Sequence, residues 1–110
     1  MKILIADDHD LLRDTLVLFV EGEGSIESVT ASNLDEALAI MDAQGSFDLI
    51  MLDYNMPGMS GLNGLKRALT HNGENKVALM SGIATRSVAE EALSLGAAGF
   101  VPKTMSAKSL

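Results

Sequence analysis

Residues 47–53 read Phe47-Asp48-Leu49-Ile50-Met51-Leu52-Asp53, and this stretch decides the fold. From Phe47 to Leu52 it is apolar at nearly every position, which a strand exposed on one face would not be. A strand apolar at consecutive positions is covered on both faces, as strands of a parallel sheet are. Lys2-Ile3-Leu4-Ile5-Ala6 has the same character, and shorter β-rich runs follow at Ile26 to Ala31, Lys76 to Met80 and Gly99-Phe100-Val101.

The segments between them have helical spacing. Leu12, Leu16, Phe19 and Val20 recur on one face until Glu21-Gly22. Asn33 with Glu36 reads as a capping box before Leu34, Ala37, Leu38 and Met41, with Gly45 as the stop. Leu62, Leu65 and Leu69 follow a Pro-Gly loop; Ser87 with Glu90 then caps a helix through Val88, Ala92 and Leu95, closed by Gly96. Alternating strands and helices predict an open, doubly wound α/β domain. A helix should return across the sheet after the fifth strand, yet Thr104 to Leu110 allow only about two turns at ~3.6 residues per turn. The expectation is that the natural chain runs on past Leu110, and that the face its last helix would cover stays partly apolar here.

Composition narrows the function. The chain has 110 residues, 47% of them hydrophobic. That suits one domain burying roughly two thirds of its unfolded surface. The net charge of −7 is wrong for nucleic acid, and of the basic residues only Lys66 and Arg67 are adjacent. Without cysteine there is no disulfide framework, thiolate nucleophile or cysteine-based zinc site. No apolar run is long enough to span a bilayer, and MKILIADD turns acidic too early for a signal peptide. The expected domain is acidic, cytoplasmic and not membrane-bound.

In open α/β sheets, ligands sit beyond the carboxyl ends of the strands where the strand order reverses. At those ends stand Asp7 and Asp8 after the first strand, Asp53 after the third, Ser81 after the fourth and Lys103 after the fifth. Three crowded carboxylates favour a divalent cation with hard oxygen ligands, and Mg²⁺ suits the set. The aspartates, such an ion and Lys103 sum to zero charge, which prepares a pocket for a phosphoryl group. A carboxylate can then act as nucleophile and become an aspartyl-phosphate.

Each of these residues also has an ordinary structural role. Asp-Asp after a strand caps helices, with Asp10 the better cap candidate. Asp53 before Pro57-Gly58 and Ser81-Gly82 suit turns, and a single lysine suits a solvated surface. The coincidence at one end of successive strands favours chemistry. His9, beside the acidic pair, reads as orienting its loop, and His71 in His71-Asn72-Gly73-Glu74-Asn75 as solvated. Gly58, Gly61 and Gly64 have the wrong spacing for a dinucleotide site. Met56 and Met59 are the methionines expected to face a partner rather than fill the core.

Taken together, these residues resemble the receiver domains of bacterial two-component response regulators over all 110 residues. The motifs are Asp7-Asp8, Asp53 with Met56-Pro57 and Gly61, Ser81, and Lys103. Ala6-Asp7-Asp8-His9 and Gly99-Phe100-Val101-Pro102-Lys103-Thr104 are most similar to receivers joined to LuxR-type helix-turn-helix output domains. The resemblance implies a flavodoxin-like five-stranded parallel sheet in the order 2-1-3-4-5. It implies that residues 1–110 form a receiver cut before or within its fifth helix, with the output domain absent. Asp53 would accept a phosphoryl group from a sensor histidine kinase. Asp8 and Asp53 would ligate Mg²⁺, with Asp7 directly or through water and the backbone carbonyl of Asn55 completing the set. Lys103 would pair with the phosphoryl oxygens, and Ser81 and Phe100 would form the switch. Phe100 replaces the tyrosine of many receivers, so a hydroxyl-mediated readout is missing; Pro102 precedes Lys103 rather than following it.

The implied role is a signalling switch controlling transcription, not an enzyme beyond its own phosphorylation and dephosphorylation. DNA would be touched only by the absent output domain, and self-association is a further expectation. Two alternatives stand beside it. A Mg²⁺-dependent phosphohydrolase of the haloacid-dehalogenase type would place an acid where Asn55 stands, and its nucleophile after the first strand. A receiver-like module that binds without phosphorylation would lack the pocket residues retained here.

Overall fold

The structure is a computed structural model that describes residues 1–22, 24–45, 47–73, 76–82 and 86–102. Among the described residues, five strands, β1 (Lys2–Ala6), β2 (Glu27–Ala31), β3 (Leu49–Asp53), β4 (Lys76–Ser81) and β5 (Gly99–Pro102), alternate with four helices. The helices are α1 (Asp10–Glu21), α2 (Leu34–Gln44), α3 (Asn63–His71) and α4 (Arg86–Leu95). All strand pairs are parallel, in the order β2-β1-β3-β4-β5. The expected flavodoxin-like sheet is borne out. Lys103 and the expected start of a fifth helix, Thr104 to Leu110, lie outside the described residues, as do Glu74 and Asn75.

Side chains alternate across the sheet, so consecutive apolar residues feed two cores. Leu4, Ile50, Leu52, Val77 and Leu79 face the larger core with Leu34, Leu38 and Met41 of α2 and Leu65 of α3. Ile3, Ile5, Met51 and Met80 face the smaller one with Leu16 of α1. Beside α1 on that second face lies an apolar groove of about 240 Å³, floored by Leu49, Ala78 and Val101 and walled by Leu16 and Phe19.

The element ends show how local chemistry shifts boundaries. Asn33 Oδ1 accepts the Glu36 N–H at 2.8 Å, as a cap should, but Glu36 accepts from the Ser32 hydroxyl at 3.3 Å instead of answering Asn33. Asp10 is not the cap of α1. His9 holds that position, and Asp10 is the first helical residue, where its carboxylate faces the helix dipole and accepts from Arg13 Nη2 at 2.8 Å. Ser87 is likewise inside α4, because the helix starts at Arg86 and Glu90 takes Arg86 Nε at 2.8 Å, an i,i+4 pair within its first turns.

β3 begins at Leu49 rather than Phe47 for a specific reason. Asn72, fully buried at the end of α3, accepts the Phe47 N–H at 2.8 Å and donates to the Phe47 carbonyl at 3.2 Å. The backbone of Phe47 is therefore spent on a side chain, and its ring packs in the larger core. His71 is not simply solvated, since its Nδ1 lies 2.9 Å from Asp42 Oδ1 and ties α3 to α2. Met56 and Met59 do not face a partner; both are buried, because the β3–α3 loop folds under itself. A Cβ on Gly64 would stand 2.3 Å from Met59 Sδ and 2.9 Å from Met59 Cα, so this glycine makes room for the turn beneath it.

Candidate functional site

The site lies where the strand order reverses, between β1 and β3. Leu52 is in register with Ala6, so the residues just beyond them, Asp53 and Asp7, meet at one edge. The Asp7 N–H continues the ladder onto Ala31 O at 3.0 Å, which holds its backbone just past the end of β1. Its carbonyl accepts from Arg13 Nη1 at 3.0 Å, so the first helix holds the loop from the other side.

Asp7 and Asp53 are fully buried, while Asp8 is about a third exposed at 37%. One donor atom from each of Asp7, Asp8, His9 and Asp53 lies within 4.8 Å of the others. His9 Nδ1 stands 3.0 Å from Asp7 Oδ1, 3.3 Å from Asp8 Oδ1 and 3.9 Å from Asp53 Oδ2. Two local bonds set these positions. The His9 N–H donates to Asp7 Oδ1 at 2.8 Å, and the Asn55 N–H donates to Asp53 Oδ1 at 3.1 Å. Each aspartate thus folds the backbone two residues on around its own carboxylate.

Burying two carboxylates beside a third is costly unless cations meet them. The donor set is hard oxygen, which matches Mg²⁺ or Ca²⁺. The residues present fit such an ion.

Ser81 ends β4 and is buried. Its neighbour Met80 is in register with Asp53 and accepts the Tyr54 N–H at 2.8 Å, so Ser81 lies on the rim next to the acids. Phe100, in register with Leu79, is half-buried against the larger core. Of the sequence-derived set, the structure therefore gathers Asp7, Asp8 and Asp53, with Asn55 in the loop that follows and Ser81 on the adjacent strand. His9 joins them more closely than its reading as a loop-orienting residue suggested. Arg13 went unnoticed; its spacing of six from Asp7 carries no recognisable motif. No helix among the described residues is long and apolar enough to cross a membrane.

The profile of the response regulator receiver domain matches residues 3–110. This chain belongs to the response regulator receiver domain family. Its likeness to characterised receivers extends to whole proteins and solved structures. The glycerol metabolism activator of Pseudomonas putida is 38% identical over 104 residues, which cover 94% of this chain and 47% of that protein. The chain thus spans about half or less of the curated relatives it matches. The solved receiver domain of the NarL response regulator of Mycobacterium tuberculosis, itself described as a putative one, is 30% identical with a TM-score of 0.85. That match covers 97% of this chain and 86% of that one. A Burkholderia pseudomallei response regulator, solved with a phosphorylated aspartic acid and a calcium ion, is 26% identical with a TM-score of 0.86, over 98% of this chain and 62% of that one. As a receiver domain, the chain is a signalling module of the kind found in transcriptional regulators.

Proposed function

We propose that this receiver takes a phosphoryl group onto Asp53 from the phosphohistidine of a sensor histidine kinase, with Mg²⁺ as the required ion. The observation that supports this best is the meeting of Asp7, Asp8 and Asp53 at the reversal of strand order, two of them buried. Asp7, Asp8, Asp53 and the carbonyl of Asn55 would hold the ion. When bound, it would neutralise charge on the carboxylates and on the transferred group.

In the transfer, an Asp53 carboxylate oxygen forms a bond to phosphorus as the phosphorus–nitrogen bond of the donor imidazole breaks. The departing imidazole keeps that electron pair and takes a proton from solvent. Asp7 and Asp8 keep the charge balance while Asp53 gives up its own carboxylate charge to the mixed anhydride, an acyl phosphate. Lys103 would then pair with the new phosphoryl oxygens and Ser81 would donate its hydroxyl proton to one of them. Drawing Ser81 inward opens space for the Phe100 ring, a two-state element biased by the new charge. Residues 1–110 would act as the receiver module of a longer cytoplasmic protein whose output domain touches DNA.

The test is incubation with acetyl phosphate and Mg²⁺, followed by intact-mass measurement. Wild type should gain one phosphoryl group and fail to gain it when Mg²⁺ is chelated before the donor is added, whereas Asp53→Ala should stay unmodified. Modification retained in Asp53→Ala rules out this acceptor.

A further inference from the structure

We propose that the outer face of α2 and α3 is a self-complementary docking surface for a second copy of this chain, with α2 of each copy lying over α3 of the other. The inference is independent of the phosphoryl-acceptor reading and uses none of its residues. Charge is divided between the two helices without overlap. Asp35, Glu36 and Asp42 lie on α2, which has no base, and Lys66, Arg67 and His71 lie on α3, which has no acid. All six are exposed.

The geometry lets one rotation match both helices at once. Each leads from the carboxyl end of one parallel strand to the start of the next, so α2 and α3 run in the same direction, side by side over the larger core. The 2.9 Å contact of His71 Nδ1 with Asp42 Oδ1 sets their relative height. At about 1.5 Å per residue, Lys66 and Arg67 stand about 6–8 Å before His71, and Asp35 and Glu36 about 9–11 Å before Asp42. Acids and bases therefore lie within one helical turn of the same height. Among the described residues, His71–Asp42 is nevertheless the only ion pair between these helices, and the side chains of Asp35, Lys66 and Arg67 have no partner. A two-fold axis parallel to the helices sets α2 over α3 twice, opposing acids to bases in both contacts, whereas an axis across them opposes like charges. The short, exposed side chains of Ala39, Ala43 and Thr70 leave room for close approach. Helices of 11 and 9 residues, each about 10 Å wide, present a face of about 16 by 20 Å. That is well below the about 800 Å² per partner of a standard interface, so the pair should be weak and electrostatic.

Sedimentation equilibrium of the chain at millimolar concentration, with amide shifts followed on dilution, tests this. At about 0.1 M salt the Debye length of about 10 Å screens net charge between distant centres but not groups in contact, and at about 1 M it falls to about 3 Å. Wild-type self-association should weaken about tenfold or more between the two, and the amides that shift should lie on α2 and α3. Lys66→Glu with Arg67→Glu, and separately Asp35→Lys with Glu36→Lys, should each weaken it about tenfold or more, because both contacts become like-charged. An equimolar mixture of the two variants should recover it. Reversing two charges moves the net −7 by four, to −11 and −3, so both variants stay acidic and bulk attraction cannot supply the recovery. The chain with all four substitutions should associate as wild type does. A wild type that stays monomeric at about 0.1 M salt, or whose shifts fall on other elements, overturns the proposal; these two readings need no variant to fold. Folded variants that associate undiminished, or that do not recover on mixing, overturn it as well.

Discussion

Asp7→Asn should make the metal-free protein more stable and remove most of its response to Mg²⁺. The change keeps the shape of the side chain and the acceptor for the His9 N–H, but deletes one charge from the cluster. The carboxylate oxygens lie within 4.8 Å of one another, and unit charges at that limit and an effective dielectric of about 20 repel by about 3.5 kcal/mol. Asp53 is buried and Asp8 partly exposed, so the first repulsion is felt nearly in full and the second is screened. The His9 ring, 3.0 Å from Asp7 Oδ1, offsets part of this, and the cluster keeps an excess of negative charge. A net gain of about 1–2 kcal/mol follows, and thermal midpoints of domains this size move by about 4–8 °C per kcal/mol. Thermal unfolding with chelator should therefore place Asp7→Asn at least about 4 °C above wild type. Mg²⁺ at a hundred times its dissociation constant would stabilise wild type by about 2.7 kcal/mol, so the order should close or reverse as Mg²⁺ is added. A lower midpoint for Asp7→Asn in chelator, or an undiminished Mg²⁺ response, refutes the reasoning.

Three further outcomes follow from contacts outside the acids. Asn72→Leu leaves the buried N–H and carbonyl of Phe47 without their side-chain partners, which should cost about 2–6 kcal/mol in urea unfolding, at about 1–3 kcal/mol per orphaned group; Asn72→Gln should recover little of it, its longer chain displacing the amide. Gly64→Ala sets a helix-propensity gain of up to about 1 kcal/mol against overpacking on Met59 of about 1–3 kcal/mol. Because Met59 Cα is one of the atoms struck, the net should be a loss, visible as a lowered urea midpoint. Arg13→Ala frees the Asp7 carbonyl from its guanidinium and should weaken Mg²⁺ binding several-fold by calorimetry while leaving the far-ultraviolet dichroism unchanged.

Much of this architecture can be read from alternation alone. Ile3 and Ile5 on one face and Leu4 and Ala6 on the other assign β1 to two cores, and Asp53 after Leu52 marks where the chain leaves them. What resists reading is any feature whose partner is remote. Asn72 sits in a stretch as polar as any surface turn, and only Phe47, 25 residues earlier, explains its burial. The same holds for His71, paired with Asp42. Met56 and Met59 misled because a Pro-Gly loop is normally exposed; this one turns back under α3. At the acidic site the aspartates were legible because each follows a strand, whereas Arg13 acts through a backbone carbonyl and leaves no pattern in the sequence.

The position of Asp8, just past β1, and Asp53, at the end of β3, about 45 residues apart in the chain, gives the ion site a mechanical meaning. In the unfolded chain those acids are far from one another, and only the pairing of β1 with β3 brings them together. A cation grasped by both would tether two distant loops, much as a covalent cross-link closes a long loop. Amides of the two loops should then exchange with solvent more slowly when the ion is present, although no contact within either loop has changed. Ion occupancy would thus govern how stiffly the phosphoryl-accepting edge of the sheet is held before any donor arrives.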